Sequence, residues 1–209
     1  MLTGYNVVRL NDLLTTLGQN DTEDIIKKFT CHKNKDVEHF LHCKAIEFDK
    51  QSLSKTHLVF TSYRGNIVLV GYFTIASKGI LIKKDALPSK ELRKRVRKFT
   101  QPLQYVKDYF VSAPLIGQIG KNFCNEYDKL ITGDELLKIA LDKIFEAQQI
   151  VGGKIVYVEC EDTPALIDFY QSNGFVISGE RSLDKDEEKY NRGKYLVQMI
   201  KYIKHGRRF

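Results

Sequence analysis

Apolar and polar positions along this 209-residue chain follow two periods, and each change of period marks a new element. Helical spacing fills residues 10 to 28 and 36 to 50, the second with Val37, Phe40, Leu41, Ala45 and Phe48 as one stripe. HLVFTSYRGNIVLVGYFTIA then reads as two strands joined around Arg64, Gly65 and Asn66, residues suited to a hairpin turn. A basic segment bounded by Pro88 and Pro102 predicts a short helix in a long connection, and YFVSAPLIGQIGKNF the strand that follows. Gly117 and Gly120 are unusual inside a strand and point to a bulge or to a ligand approaching the backbone.

The second half alternates helix and strand. TGDELLKIALDKIFEAQQIVGG buries Leu136, Leu137, Ala140, Leu141 and Ile144 on one helical face and stops at Gly152 and Gly153. KIVYVEC has the continuous apolar character of a strand buried inside a sheet. TPALIDFYQSNG predicts a helix with Thr163 as N-cap and Pro164 at its first position, and FVISGE and KYLVQMIKYI are further strands. The order predicts an α/β fold with a mixed, largely antiparallel sheet of about six to seven strands and about four to five helices. One domain over residues 1–209 is expected, with a helical part at about 10–50 and a basic connection at about 83–108.

Composition narrows the class. At 43% hydrophobic residues and four prolines, the chain is not disordered or fibrous. No signal-peptide layout and no apolar run of membrane-spanning length appears, so a cytoplasmic protein is expected. The four cysteines lack a Cys-x-x-Cys pair, which argues for reduced thiols. Cys31, His32, His39, His42 and Cys43 are zinc-capable residue types, but the apolar stripe through them favours ordinary helix packing, and no metal is expected. The net charge of +7 suggests a polyanionic partner. KELRKRVRKF concentrates Lys90, Arg93, Lys94, Arg95, Arg97 and Lys98 beside a single acid, either as a solvated face or as a phosphate contact through Arg93, Arg95 and Arg97. Lys201, Lys204, Arg207 and Arg208 make a basic C-terminal tail.

Phe169, Tyr170, Gly174 and Phe175 form Phe-Tyr-x-x-x-Gly-Phe at the end of the last helix. With the strand, loop, helix and strand before it, this resembles the GNAT superfamily of N-acetyltransferases over roughly residues 29 to 203. The resemblance implies a bulged fourth strand, acetyl-CoA as acyl donor and a primary amine as acceptor. It implies that backbone at Gln118, Ile119, Gly120 and Lys121 lines the pantetheine arm. The helix opening at Gly133, with Ile131, Thr132 and Asp134, would meet the pyrophosphate through its N–H groups and positive end. Here the chain departs from its family: DKLITG keeps one glycine of the usual loop, and Thr163 stands where many relatives carry an asparagine.

Tyr170 is the candidate acid for the departing thiolate, since a phenol stays neutral at pH 7; the alternative is a tyrosine that packs and hydrogen-bonds. Glu159 is the best-placed carboxylate for a base, or the reaction has none, which suits an α-amine that keeps a sizeable free fraction at neutral pH. FTCHKNKDVEHFL followed by IVLVGYFTIA further resembles the GNAT toxins of toxin-antitoxin pairs, which acetylate the α-amine of aminoacyl-tRNA. That makes tRNA a candidate partner. A GNAT enzyme for a small amine or protein N-terminus, and a non-catalytic member that binds nucleic acid or a partner, stay open.

Overall fold

The structure is a computed structural model that describes residues 4–100, 108–185, 187–190 and 193–203. Pro102, the stretch 101–107 of the basic connection, and Lys204, Arg207 and Arg208 of the tail lie outside the described residues. Seven strands form one sheet in the order β1-β2-β3-β4-β5-β7-β6. They are β1 (Tyr5–Arg9), β2 (Lys55–Tyr63), β3 (Asn66–Ile82), β4 (Tyr109–Lys121), β5 (Ile155–Glu161), β6 (Val176–Ser182) and β7 (Tyr195–Tyr202). The β4–β5 pair is parallel, over Leu115↔Tyr157 and Ile116↔Val158. The β1–β2, β2–β3, β5–β7 and β6–β7 pairs are antiparallel. Contacts divide the chain into two units, Met1–Ala76 with Gly117–Lys143, and Ser77–Ile116 with Ile144–Phe209.

In the first unit, Arg64 and Gly65 have φ of 50° and 77°, the doubly left-handed turn that a two-residue hairpin needs, and Tyr63 pairs with Asn66. The apolar run at residues 10 to 28 is two helices rather than one, α1 (Leu10–Leu17) and α2 (Gln19–Ile26). Gly18, at φ 81°, breaks it: its N–H closes the first helix on Leu14 and its carbonyl accepts from Thr22 of the second. The second run also divides, into α3 (Lys35–His39), a π-helical turn (Phe40–Lys44) and α4 (Ala45–Lys50). These two breaks raise the expected four to five helices to seven α-helices among the described residues. Strand β1 was not legible in the sequence pattern; it pairs from Tyr5↔Thr61 to Arg9↔His57. Leu10, Ile26, Phe29, Leu41, Leu58 and Tyr72 are fully buried together, with the Phe29 and Tyr72 rings edge to face at 5.1 Å.

In the second unit, α5 (Lys90–Arg97) is the short basic helix expected, its N-cap Ser89 Oγ accepting from the Leu92 N–H. β5 pairs with β7 along its whole length, Ile155↔Tyr202 to Glu161↔Leu196. α6 (Gly133–Val151) ends at Gly152 and Gly153, both with positive φ. α7 (Pro164–Ser172) ends at Gly174, φ 80°, where Phe175 N–H donates to Tyr170 O and Gly174 N–H to Gln171 O. This doubly bonded stop is what the Asn-Gly pair encodes. Thr163 does hold the N-cap position of α7, but its side chain makes no capping bond; backbone bonds from Leu166 and Ile167 to its carbonyl start the helix instead. Among the described residues no helix is long and apolar enough to cross a membrane.

Gly120 is a glycine for a packing reason inside the first unit. A Cβ there would lie 2.6 Å from Val37 Cγ1, and a Cβ on Gly71 would lie 2.9 Å from the Gly120 carbonyl oxygen. Val37 cannot retreat easily, since its carbonyl accepts from the buried Tyr72 hydroxyl at 2.5 Å. Gly120→Ala is therefore expected to lower stability by about 1–3 kcal/mol, the range for overpacking a closed core. Adding Val37→Ala should recover most of it; urea denaturation of the two variants checks both.

Candidate active site

The residues proposed from the sequence fall into two groups, one in each unit. In the first, the Gln118 N–H donates to Thr74 Oγ1 at 2.9 Å, and its side-chain amide donates to Asp36 at 2.8 Å. Ile119, Gly120 and Lys121 remain partly exposed. Lys121 Nζ donates to the Asp128 carbonyl at 2.8 Å, so its ammonium already serves the loop that follows the strand. Asn122, which sequence reasoning missed, is the fastener of that loop. Its N–H donates to Val70 O and its amide to Leu69 O, while its side-chain oxygen accepts from the N–H groups of Thr30 and Cys124. A single asparagine carries no sequence signal for this role.

The loop then makes a 3-10 turn, Cys124–Leu130, with Asn125 and Glu126 in left-handed conformation. Ile131 is buried and Thr132 exposed. Thr132 Oγ1 accepts from the Glu135 N–H at 3.1 Å, while Glu135 Oε2 accepts from the Thr132 N–H at 2.8 Å and its hydroxyl at 2.9 Å. This is a reciprocal capping box, legible as Thr-x-x-Glu but not read from the sequence. It confirms a helix start at Gly133, and it puts the Glu135 carboxylate there too. The Tyr5 hydroxyl donates to Leu130 O at 2.9 Å; burial and nearby Glu135 both raise its pKa.

In the second unit, Tyr170 is 5% exposed, with Phe169 and Phe175 packed edge to face at 5.1 and 5.5 Å. Its hydroxyl makes no hydrogen bond to any described residue. Burial pushes its pKa well above the ordinary tyrosine value, with Cys160 adding to the shift. The Cys160 thiol is pushed up to about 11 by burial, then by Asp162 and Glu161. Glu159 differs: Oε2 accepts from Arg181 Nε at 2.9 Å and Oε1 from Gln198 Nε2 at 2.8 Å. Arg181 also forks onto Glu187 at 2.8 and 2.9 Å. Both carboxylate oxygens of Glu159 are thus already engaged within the fold.

The basic helix sorts its charges by face. Arg93 donates to the Leu87 carbonyl at 3.1 and 3.2 Å, and Arg95 bonds Glu91 and lies over the Tyr202 ring. Only Arg97 of the expected trio is exposed, beside Lys90, Lys94 and Lys98. These four share one helical face by spacing, and none has a partner among the described residues. Among the described residues no three His, Cys, Asp or Glu side chains are grouped to hold a metal. His42 Nε2 lies 2.9 Å from Phe29 O, and the His32 ring packs on Phe123 at 4.4 Å.

No protein-family model matches the sequence, and no curated protein does. Solved structures do match. A tyrosine-to-phenylalanine mutant of KacT superposes with a TM-score of 0.59 at 15% identity, over 93% of this chain and 94% of that one. AtaT complexed with acetyl-methionyl-tRNAfMet gives 0.59 at 16% identity, over 92% and 93%. The chain has the fold of KacT and AtaT. AtaTR bound with AcCoA matches as well, with a TM-score of 0.53 at 14% identity, over 94% and 93%. The shared architecture bears out the GNAT fold inferred from the Phe169–Phe175 pattern and the order of elements.

The capping box gives a pH-dependent expectation. The Thr132 N–H holds the Glu135 carboxyl below its ordinary value of 4.5, so the folded state binds this proton less tightly than the unfolded chain. Its stabilisation is whole at neutral pH and is lost as pH falls through 4.5 and below. Glu135→Gln should thus destabilise at pH 7, with the difference from wild type narrowing in urea melts as the pH is taken below 4.5.

Proposed function

We propose that the protein is an N-acetyltransferase that moves an acetyl group from acetyl-CoA to a primary amine. The observation that carries this is Tyr170, whose ring is buried while its hydroxyl bonds no described residue and is not among the buried unpaired oxygens, which are those of Ser54 and Thr56. A phenol kept neutral and unpaired is suited to donate to an anion generated beside it. In acetyl transfer, the amine nitrogen attacks the thioester carbonyl, the carbon–sulfur bond breaks, and the departing thiolate takes the Tyr170 proton. The phenolate left behind is reprotonated to the phenol by the proton that the amine loses. Backbone of Gln118–Lys121 and the start of α6 at Gly133 are the groups we assign to the coenzyme, together with Ile131, Thr132, Asp134 and Thr163.

The solved complexes of fold relatives, one with AcCoA and one with acetyl-methionyl-tRNAfMet, support this donor and suggest an aminoacyl-tRNA acceptor. With Glu159 engaged, no general base is assigned, which suits an α-amine. The acceptor's phosphates would meet Lys90, Lys94, Arg97 and Lys98, while Arg93 and Arg95 hold the helix in place. A non-catalytic role is the second reading, favoured by Glu135 at the helix start and by the use of the Gln118 N–H within the fold.

Tyr170→Phe is expected to lower turnover by about ten- to a thousandfold with coenzyme affinity nearly unchanged. Calorimetry with acetyl-CoA and turnover on charged tRNA, free amino acids, polyamines and N-terminal peptides measure both. Absence of coenzyme binding at millimolar concentration would leave the non-catalytic reading. Lys94→Ala, Arg97→Ala and Lys98→Ala together should weaken tRNA binding and flatten its salt slope by about 0.7–0.9 per lost phosphate contact. Unchanged tRNA binding, with peptides or polyamines acetylated equally well, would assign a different amine.

A further inference from the structure

The first unit contains a cavity whose lining includes none of the residues we assign to acetyl transfer. Its volume is about 570 Å³, within the range of small-molecule sites. Pairing of Asn6 with Phe60, and of Phe60 with Leu69, sets these three side by side across β1, β2 and β3. Leu13 of α1 and Ile25 of α2 complete the apolar wall. Ile67, at the cavity's edge, is 66% exposed, an unusual position for a large aliphatic side chain unless something covers it.

The polar groups of this cavity are one-sided. No carboxylate lines it, and its one charged residue is Lys28, just past the end of α2. Lys27, next to it, is paired with Glu23 at 3.1 Å, and Lys50 donates to Gln19 at 3.0 Å. Lys28 has no partner among the described residues. An exposed lysine on a largely apolar lining that also carries the amides of Asn6 and Asn66 complements a molecule with an apolar body and one anionic head. A cationic or zwitterionic ligand would find no counter-charge.

We propose that this cavity binds a small hydrophobic monocarboxylate, its alkyl or aryl body against Val8, Phe60 and Leu69 and its carboxylate on Lys28. The same cavity touches Asn122 and Tyr127, so occupancy would also stiffen the loop that leads into α6. Binding itself does not depend on acetyl transfer and is measurable without acetyl-CoA.

Octanoate, octanol and octylammonium, titrated into the full chain by calorimetry and amide NMR, separate the head groups. The expected result is saturable one-to-one octanoate binding, weaker octanol binding and none for octylammonium, with shifts at Asn6, Ile25 and Leu69. Lys28→Met should weaken octanoate by about two- to fivefold, the worth of one solvent-screened ion pair, and leave octanol unchanged. Val8→Trp, which fills the cavity, should remove both, with circular dichroism confirming the fold. No octanoate binding at millimolar concentration, equal binding of all three head groups, or no effect of Lys28→Met would overturn the proposal.

Discussion

Space at Gly120 is the constraint on which the first unit depends. A strand, its neighbour and a helix start converge there, with Val37 over the glycine and Gly71 against its carbonyl. Any side chain would force them apart. The residues that follow are set by that approach: Asn122 reaches the carbonyls of Leu69 and Val70 only because the strand lies this close. Asn122 then starts the turn that ends in the Thr132–Glu135 box and α6. The glycine that suggested a ligand against the backbone is first a packing device. The partly exposed groups of Ile119 and Lys121 come with it.

The second unit is organised around a different imbalance. Its polar groups are nearly all satisfied: Glu159 by Arg181 and Gln198, Asp162 by the Tyr195 hydroxyl at 2.6 Å, and Lys201 by the Asn173 carbonyl. The Tyr170 hydroxyl differs from these groups: its ring is buried, and the hydroxyl bonds no described residue. The aromatic packing of Phe169 and Phe175 keeps the ring in one place, and burial keeps it protonated.

What the sequence revealed follows from the range of the forces involved. Local encodings were legible: the Arg64–Gly65 turn, the short basic helix after Pro88, the Asn-Gly stop after Tyr170, and the apolar strand at Ile155–Glu161. Helix breaks were less so, because Gly18 interrupts a run whose apolar spacing continues across it. β1 was missed since five residues half exposed on both faces show no clear period. Partner choice was the least legible. Nothing in KELRKRVRKF says that Arg93 turns to Leu87 while Lys94 stays open, and nothing beside Glu159 announces Arg181, 22 residues away.

The central claim is that the Tyr170 hydroxyl is held neutral and open for the sulfur of a thioester. It is tested most directly by the NMR shift of a Cζ-labelled Tyr170 as acetyl-CoA is added at pH 7. The account predicts a signal at the protonated position that moves saturably with coenzyme. A signal that does not move while calorimetry shows the coenzyme bound, or one already at the phenolate position, would contradict it.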